Sequence, residues 1–355
     1  MVVWSRTCRR WKPRVFAMKI DFFARETHYV DHLLPIYKGL GDAAGSFFIP
    51  PSIFGYVRSK GIEPDVLKPR LSSNPMDVVP PGGTNPILVA GVADLQMIYL
   101  DGQRRKTVLM EHGPGITFPG NQSYAGNVGF RKKAFFTLAP NYLVFEKTSK
   151  AIPEMNQVII GTPMLDRWAE KRMMKRILPE KPTVAIAFHW DGSKVAPEAG
   201  NAFRYYESIL PFLAKQDSFK LIAHGHPRSM DQMGRVYGRL GIEVVRDFEE
   251  VMDRANLLIN DCSSILYMFL VTGWPVIILN APWFRRNVNF GLRFWEYTDV
   301  GDQVETVNEL LPAITQNLPN LEGRNVERDF AIGDLFPYLG KSTEFTVRLL
   351  MEKFG

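Results

Sequence analysis

Short apolar runs alternate with amphipathic stretches along the whole chain. In the first half, the runs Met18–Ala24, Gly45–Ile49, Pro86–Gly91, Lys106–Met110, Tyr142–Phe145 and Gln157–Ile160 have the length of buried strands. In the second half the same holds for Thr183–Phe188, Phe219–Ala223, Ile242–Val245, Leu257–Asn260 and Pro275–Leu279. Helical periodicity fills the gaps, for example at Ala202–Lys215 and Gln303–Gln316. Strands that alternate with helices predict parallel sheets with crossover helices. Two such sets predict an α/β protein of two doubly wound, Rossmann-like domains. Asp166–Leu178 is charged and expected to be helical, and it runs into Pro179-Glu180-Lys181-Pro182, where proline stops a helix. The boundary is therefore expected near residue 180, with an N-terminal domain over 18–180 and a C-terminal one over 181–355. Leu71–Asn85, rich in Pro and Gly, is expected to be a loop of the first domain.

Composition narrows the class. A chain of 355 residues with 46% hydrophobic content is ample for buried cores and long for one domain. Residues 1–17 carry Arg6, Arg9, Arg10, Lys12 and Arg14 and no acidic residue, with no apolar region of a secretory signal after them. They read as a disordered basic extension, or Met18 is the true start. The only cysteines are Cys8 and Cys262, which argues against a disulfide framework and fits a reducing cytoplasm. The most apolar stretch, Ile265–Phe284, is interrupted by Gly273-Trp274-Pro275 and reads as a helix, a turn and a buried strand, so no integral membrane segment is expected. The net charge of +6 permits attraction to nucleic acid, an anionic membrane or phosphorylated substrates, and selects none of them.

Six histidines occur, and His112, His189, His224 and His226 fall at expected carboxyl ends of strands, where open α/β sheets bind ligands. In Glu111-His112-Gly113-Pro114-Gly115 the glycines let backbone approach a ligand, and a neutral His112 there can take a proton from an acceptor hydroxyl. The other reading is a structural histidine in a turn. His224-Gly225-His226-Pro227-Arg228 combines two imidazoles with a guanidinium and suits a phosphate-bearing ligand, unless only the Pro227 turn matters. Asn260-Asp261-Cys262-Ser263-Ser264 opens an apolar helix, Ile265–Val271. Asp261, Ser263 and Ser264 there either cap the helix or join its N–H groups in holding a phosphate. His189 heads a loop that touches the cleft or serves as a hinge. Trp283-Phe284-Arg285-Arg286 and Arg293-Phe294-Trp295 can bind a phosphorylated acceptor, meet a membrane surface as a peripheral contact, or edge a core. No Asp-x-Asp, zinc-spaced ligand set or Gly-x-x-x-x-Gly-Lys loop occurs, so no metal or other cofactor is expected and a P-loop nucleotidase is disfavoured.

These segments, in this order, resemble the CDP-glycerol glycerophosphotransferase family of teichoic-acid primases and polymerases. The family's His-Gly is similar to Glu111-His112-Gly113, its His-Pro to His226-Pro227, and its Asp-x-Ser-Ser to Asp261-Cys262-Ser263-Ser264. Its Gly-x-Pro-x-x-Asp is similar to Gly161–Asp166, and its closing segment to Phe294–Leu311, with Arg293 near a family arginine. The resemblance covers roughly residues 106–318. It implies the GT-B architecture, a general base at His112, and donor phosphates held by His226, Ser263 and Ser264. It also implies transfer of a glycerophosphate or glycosyl group from a nucleotide-activated donor to an acceptor hydroxyl. The acceptor stays open among a polymer, a lipid-linked glycan, a protein and modified DNA. Two alternatives remain: a sugar-nucleotide 2-epimerase, which the lack of an acidic residue in Ile265–Phe269 disfavours, and a nucleotide-sugar-binding protein without turnover.

Overall fold

A computed structural model describes residues 18–69, 77–114, 128–193, 200–261, 263–284 and 295–355. The first sheet holds β1 (Ile20–Phe23), β2 (Ala44–Ile49), β3 (Asp65–Val66), β4 (Ile87–Val89), β5 (Thr107–Met110), β6 (Phe136–Ala139) and β7 (Gln157–Ile159) in the order β3-β2-β1-β4-β5-β6-β7. The second holds β8 (Thr183–Phe188), β9 (Lys220–Gly225), β10 (Glu243–Val244), β11 (Leu257–Asn260), β12 (Val276–Leu279) and β13 (Asp302–Val304) in the order β10-β9-β8-β11-β12-β13. Every pairing in both is parallel. Each sheet starts at its centre, winds to one edge, returns and winds to the other, as the alternation of elements predicts.

Burial explains the apolar runs. Helices cover both faces of a parallel sheet, so its strands need apolar residues at every position. On β1, Phe22 points into one core with Val30, Leu33 and Phe47, and Phe23 into another with Ile87 and Leu95. On β8, Val184, Ile186 and Phe188 enter one core, and Ala185 and Ala187 the opposite one.

Three expectations are corrected. Tyr142–Phe145 is the start of a helix, Tyr142–Ala151, because the Asn141 side chain accepts the Val144 N–H at 2.9 Å and caps it. The strand is the preceding Phe136–Ala139, and a short apolar run alone does not tell the two apart. Gln303–Gln316 is not one helix: Asp302–Val304 pairs with β12, and the helix Leu310–Asn317 follows a 3-10 turn. Ala202–Lys215 is broken into Phe203–Tyr206, a 3-10 turn and Leu210–Leu213, the last carrying Pro211, which has no N–H to give, in its first turn. Leu71–Asn85 lies partly outside the described residues, and 77–85 form no regular element.

The Gly161–Asp166 segment has a structural task. Gly161 has φ +79°, and a Cβ there would lie 2.2 Å from the Pro337 carbonyl oxygen and from Ser342 Oγ. Asp166 accepts the N–H groups of Gly340 at 2.8 Å, Ser342 at 3.2 Å and Thr343 at 2.7 Å, so it caps the last helix, Ser342–Phe354. That helix returns to the first sheet and buries Leu350 and Phe354 in its core. Gly161→Ala is expected to cost about 3 kcal/mol or more in urea unfolding, since both its φ and its space forbid a side chain. Gly234→Ala, in the helix Pro227–Arg239 with nothing near its added Cβ, is expected to gain about 0.5–1 kcal/mol.

Candidate active site

The carboxyl edges of the two sheets face one another across a cleft of about 360 Å³. The loops after β1, β4, β8 and β11 open into it, which places the cleft at the switch point of both sheets. All six histidines line it. His112, His189, His224 and His226 arrive from strand ends as expected. His28 and His32 were not anticipated; they come from the helix Thr27–Leu40, and their i, i+4 spacing, which puts both on one helix face, was the available signal. Ring centroids run in series from His32 to His112 (5.8 Å), His112 to His28 (5.4 Å), His28 to His226 (5.5 Å) and His226 to His189 (5.1 Å), bridging the two domains.

Hydrogen bonds place the Nδ1 proton differently on His112 and His226, the rings on either side of His28. His112 follows β5, and its Nδ1 lies 2.6 Å from the Ala90 carbonyl oxygen. A carbonyl only accepts, so Nδ1 carries a proton, and in the neutral ring Nε2 carries the lone pair. His226 caps the helix Pro227–Arg239, and its Nδ1 accepts the Arg228 N–H at 3.2 Å. The ring proton of His226 therefore sits on Nε2, a donor. Gly113, at φ +78°, carries the His112 loop close to the second domain: a Cβ there would lie 3.3 Å from Ser264 Oγ.

The second domain's loops are locked from behind. The Asp261 carboxylate accepts the His189 and Ala202 N–H groups, both at 3.0 Å. It is buried and does not line the cleft, so its placement differs from the phosphate-facing one expected: a carboxylate satisfied by two amides orders the loops. Asn260 donates to the Ala187 carbonyl oxygen at 2.9 Å and accepts the Ser263 N–H at 3.2 Å, which turns Ser263 and Ser264 into the cleft. The α-helix behind them is only Ile265–Phe269, continued by a 3-10 turn, so its dipole is smaller than that of the helix expected over Ile265–Val271. His224 is buried, with Nδ1 2.8 Å from the Val245 carbonyl oxygen. The His189 carbonyl oxygen accepts the Asn201 side chain at 2.6 Å. Cys262, Gly115 and Arg293 lie outside the described residues; Trp283 donates to the Gly200 carbonyl oxygen at 3.1 Å, and Phe284 joins the second domain's core.

Charge in the cleft is paired. Arg228 meets Glu26 of the first domain across it at 2.7 Å, and Arg131, which no motif marks, pairs with Glu111 within the first domain. Lys60 ties the domains beside the cleft, reaching Asp247 at 2.7 Å, Glu249 at 2.9 Å and Asp31 at 3.4 Å. Burial, the largest cause, pushes Asp31 up to about 7 against the pull of Lys60. Burial and then the neighbouring rings, His112 first, drive His28 well below its usual value; burial and His112 bring His32 down to about 3. Burial likewise lowers His224. Among the described residues, no three His, Cys, Asp or Glu side chains are grouped to hold a metal ion, and no helix is long and apolar enough to cross a membrane.

No protein-family model matches the chain, and a search of curated proteins finds no match. Solved structures do match. A structure of the wall teichoic acid polymerase TagF, the H548A variant, shares 13% identity, with 95% of this chain and 89% of that one covered and a TM-score of 0.65. MnaA of S. aureus, solved with UDP, shares 11% identity over 95% of this chain and 96% of that one, with a TM-score of 0.62. A UDP-GlcNAc 2-epimerase from Neisseria meningitidis shares 13% identity over 94% of this chain and all of that one, with a TM-score of 0.56. The fold is GT-B. The architecture implied by the sequence resemblance is thus present, and the GT-B cleft is the one that gathers the histidines.

His32 gives this site a pH signature. Its folded pKa of about 3 lies below the unfolded value near 6.5, so between those limits the unfolded chain binds a proton that the folded one refuses. Its contribution is present above pH 6.5 and is lost as pH falls. His32→Gln is expected to flatten the plot of unfolding free energy against pH by about 1.4 kcal/mol per pH unit between 4 and 6. Chemical denaturation of both chains at three pH values in that window measures it; an unchanged slope contradicts the neutral buried ring.

Proposed function

We propose that this GT-B cleft binds a nucleotide-activated donor and transfers its glycerophosphate or glycosyl group to an acceptor hydroxyl. One observation carries the reading: opposite tautomers on the two sides of the cleft. His112 offers a lone pair from the first domain, and His226 an N–H from the second. A lone pair accepts the acceptor's proton; an N–H supports the charge that builds on a departing phosphate. In glycerophosphate transfer the acceptor oxygen bonds to phosphorus, the bond between the two phosphates breaks, and a nucleoside monophosphate leaves. In glycosyl transfer the oxygen bonds to the anomeric carbon, its bond to the phosphate oxygen breaks, and a nucleoside diphosphate leaves, or a monophosphate where the donor is a CMP-sugar. In both, His112 takes the proton. Ser263, Ser264 and Arg228 line the cleft beside His226 and add hydroxyls and a guanidinium suited to phosphate. Structures of similar fold include TagF soaked with CDPG and an epimerase bound to UDP-GlcNAc, which supports a nucleotide ligand for this cleft as well.

The 2-epimerases among those structures favour a second reading, interconversion of a nucleotide sugar without an acceptor. Two features weigh against it here. The carboxylates lining the cleft among the described residues, Asp31 and Glu111, are tied to Tyr56 with Lys60 and to Arg131, and Ile265–Phe269 contains no acid.

Purified protein, offered CDP-glycerol and CMP-, UDP-, GDP- and TDP-sugars with candidate acceptors, is expected to release free nucleotide in step with transfer. His112→Ala is expected to lower kcat by about 100-fold or more and to change donor affinity little. A variant that keeps a tenth of the turnover removes His112 as the base. Conversion of a UDP-sugar with no nucleotide released selects the epimerase reading. We also expect turnover to survive excess EDTA; loss restored by Mg²⁺ or Mn²⁺ contradicts metal-independent chemistry.

A further inference from the structure

Arg228, the one guanidinium in the cleft's His-Gly-His-Pro-Arg segment, is already engaged by an anion of the chain itself. Its Nη2 lies 2.7 Å from Glu26 Oε1, across the cleft and 202 residues away in sequence. Glu26 is the N-cap residue of the helix Thr27–Leu40, yet its side chain makes no capping hydrogen bond. The carboxylate reaches across instead. It sits where the partial positive charge of a helix N-terminus already favours an anion. The opposing helix, Pro227–Arg239, also starts at this point, with His226 as its cap.

We infer that the Glu26 carboxylate is an internal stand-in for a donor phosphate, holding Arg228 while the cleft is empty and yielding it when a phosphorylated ligand enters. The inference rests on the donor reading given above and names a residue that sets its affinity. The exchange is chemically even: a guanidinium trades one oxyanion for another, and no covalent bond changes. A carboxylate offers one charge, whereas a terminal phosphate offers close to two, so the ligand has the stronger claim on Arg228. Glu26 does not lose every neighbour when displaced. His28 Nδ1 lies 3.7 Å from Glu26 Oε2, is buried, and has no hydrogen-bond partner among the described residues. A small rotation of the carboxylate brings it within reach of that nitrogen, which in the neutral ring can carry the proton to give it. The unpaired Nδ1 of His28 is thus explained as the second seat of Glu26. The same geometry predicts discrimination: neutral ligands do not displace Glu26, and ligands with a phosphate do.

Calorimetric titration of UDP, CDP and inorganic pyrophosphate into wild type, Glu26→Gln, Glu26→Ser, Arg228→Ala and the Glu26→Gln/Arg228→Ala chain tests this. Glu26→Ser is included because serine is a good helix cap and keeps the helix start intact. Both Glu26 variants are expected to bind the probes about three- to tenfold more tightly than wild type. Their melting temperatures without ligand are expected to be equal to wild type or lower, a combination that a purely structural role does not produce. In the Arg228→Ala background, Glu26→Gln is expected to change affinity by less than about twofold, because the competition needs both partners. Wild-type binding with no gain in either Glu26 variant, or the same gain without Arg228, overturns the inference and leaves the donor reading standing. Absence of binding for every probe and every chain overturns both.

Discussion

The structure depends on one constraint of chain direction. In a parallel sheet every strand delivers its following loop to the same edge, so a sequence that alternates strand and helix stacks its loops on one side without further instruction. This chain does so twice, with the same order of winding in both sheets. The remaining requirement is that the two loop-bearing edges meet. Ion pairs that cross between the domains supply part of the contact: Lys60 with Asp247 and Glu249, and Arg228 with Glu26. The last helix adds a covalent return, held at its start by Asp166 and packed through Leu350 and Phe354 on the first sheet. The ion pairs and the cap are contacts that water could satisfy as well, so where the domains meet through them the pairing is expected to be softer than either core.

Packing the loops together creates an unusual electrostatic setting. Six imidazoles occupy one cleft, and those with the deepest burial are driven to the neutral form. A neutral ring binds an anion through a directed N–H group, while a lone pair on a ring can receive a proton. Which nitrogen does which is decided by backbone: the Ala90 carbonyl for His112, and the Arg228 amide for His226. The placement of these ring protons is thus set by secondary-structure ends rather than by unusual side chains.

Much of this was legible in the sequence, for identifiable reasons. Strands buried on both faces announce themselves as apolar runs, and Thr183–Phe188 is read correctly because all its residues from Val184 onward face a core. The histidines at strand ends were visible because strand ends were. His28 and His32 were not, since a helix offers no switch point to draw attention, and their value comes from which sheet edge the helix starts on. Tyr142–Phe145 misled because the cap at Asn141, not the hydrophobic run, decides the element. Asp261 was recognised as special, but its two amide partners, His189 and Ala202, lie 59 or more residues away, and no local pattern reveals them.

The most direct test of the account is a crystal structure of the protein soaked with UDP or CDP. Phosphate oxygens are expected within about 3.2 Å of His226 Nε2, of the Ser263 or Ser264 hydroxyl, and of the Arg228 guanidinium, with Glu26 turned toward His28 and His112 Nε2 facing the phosphate end of the ligand. A nucleotide bound with its phosphates away from these groups, or with His112 turned off the cleft, contradicts it.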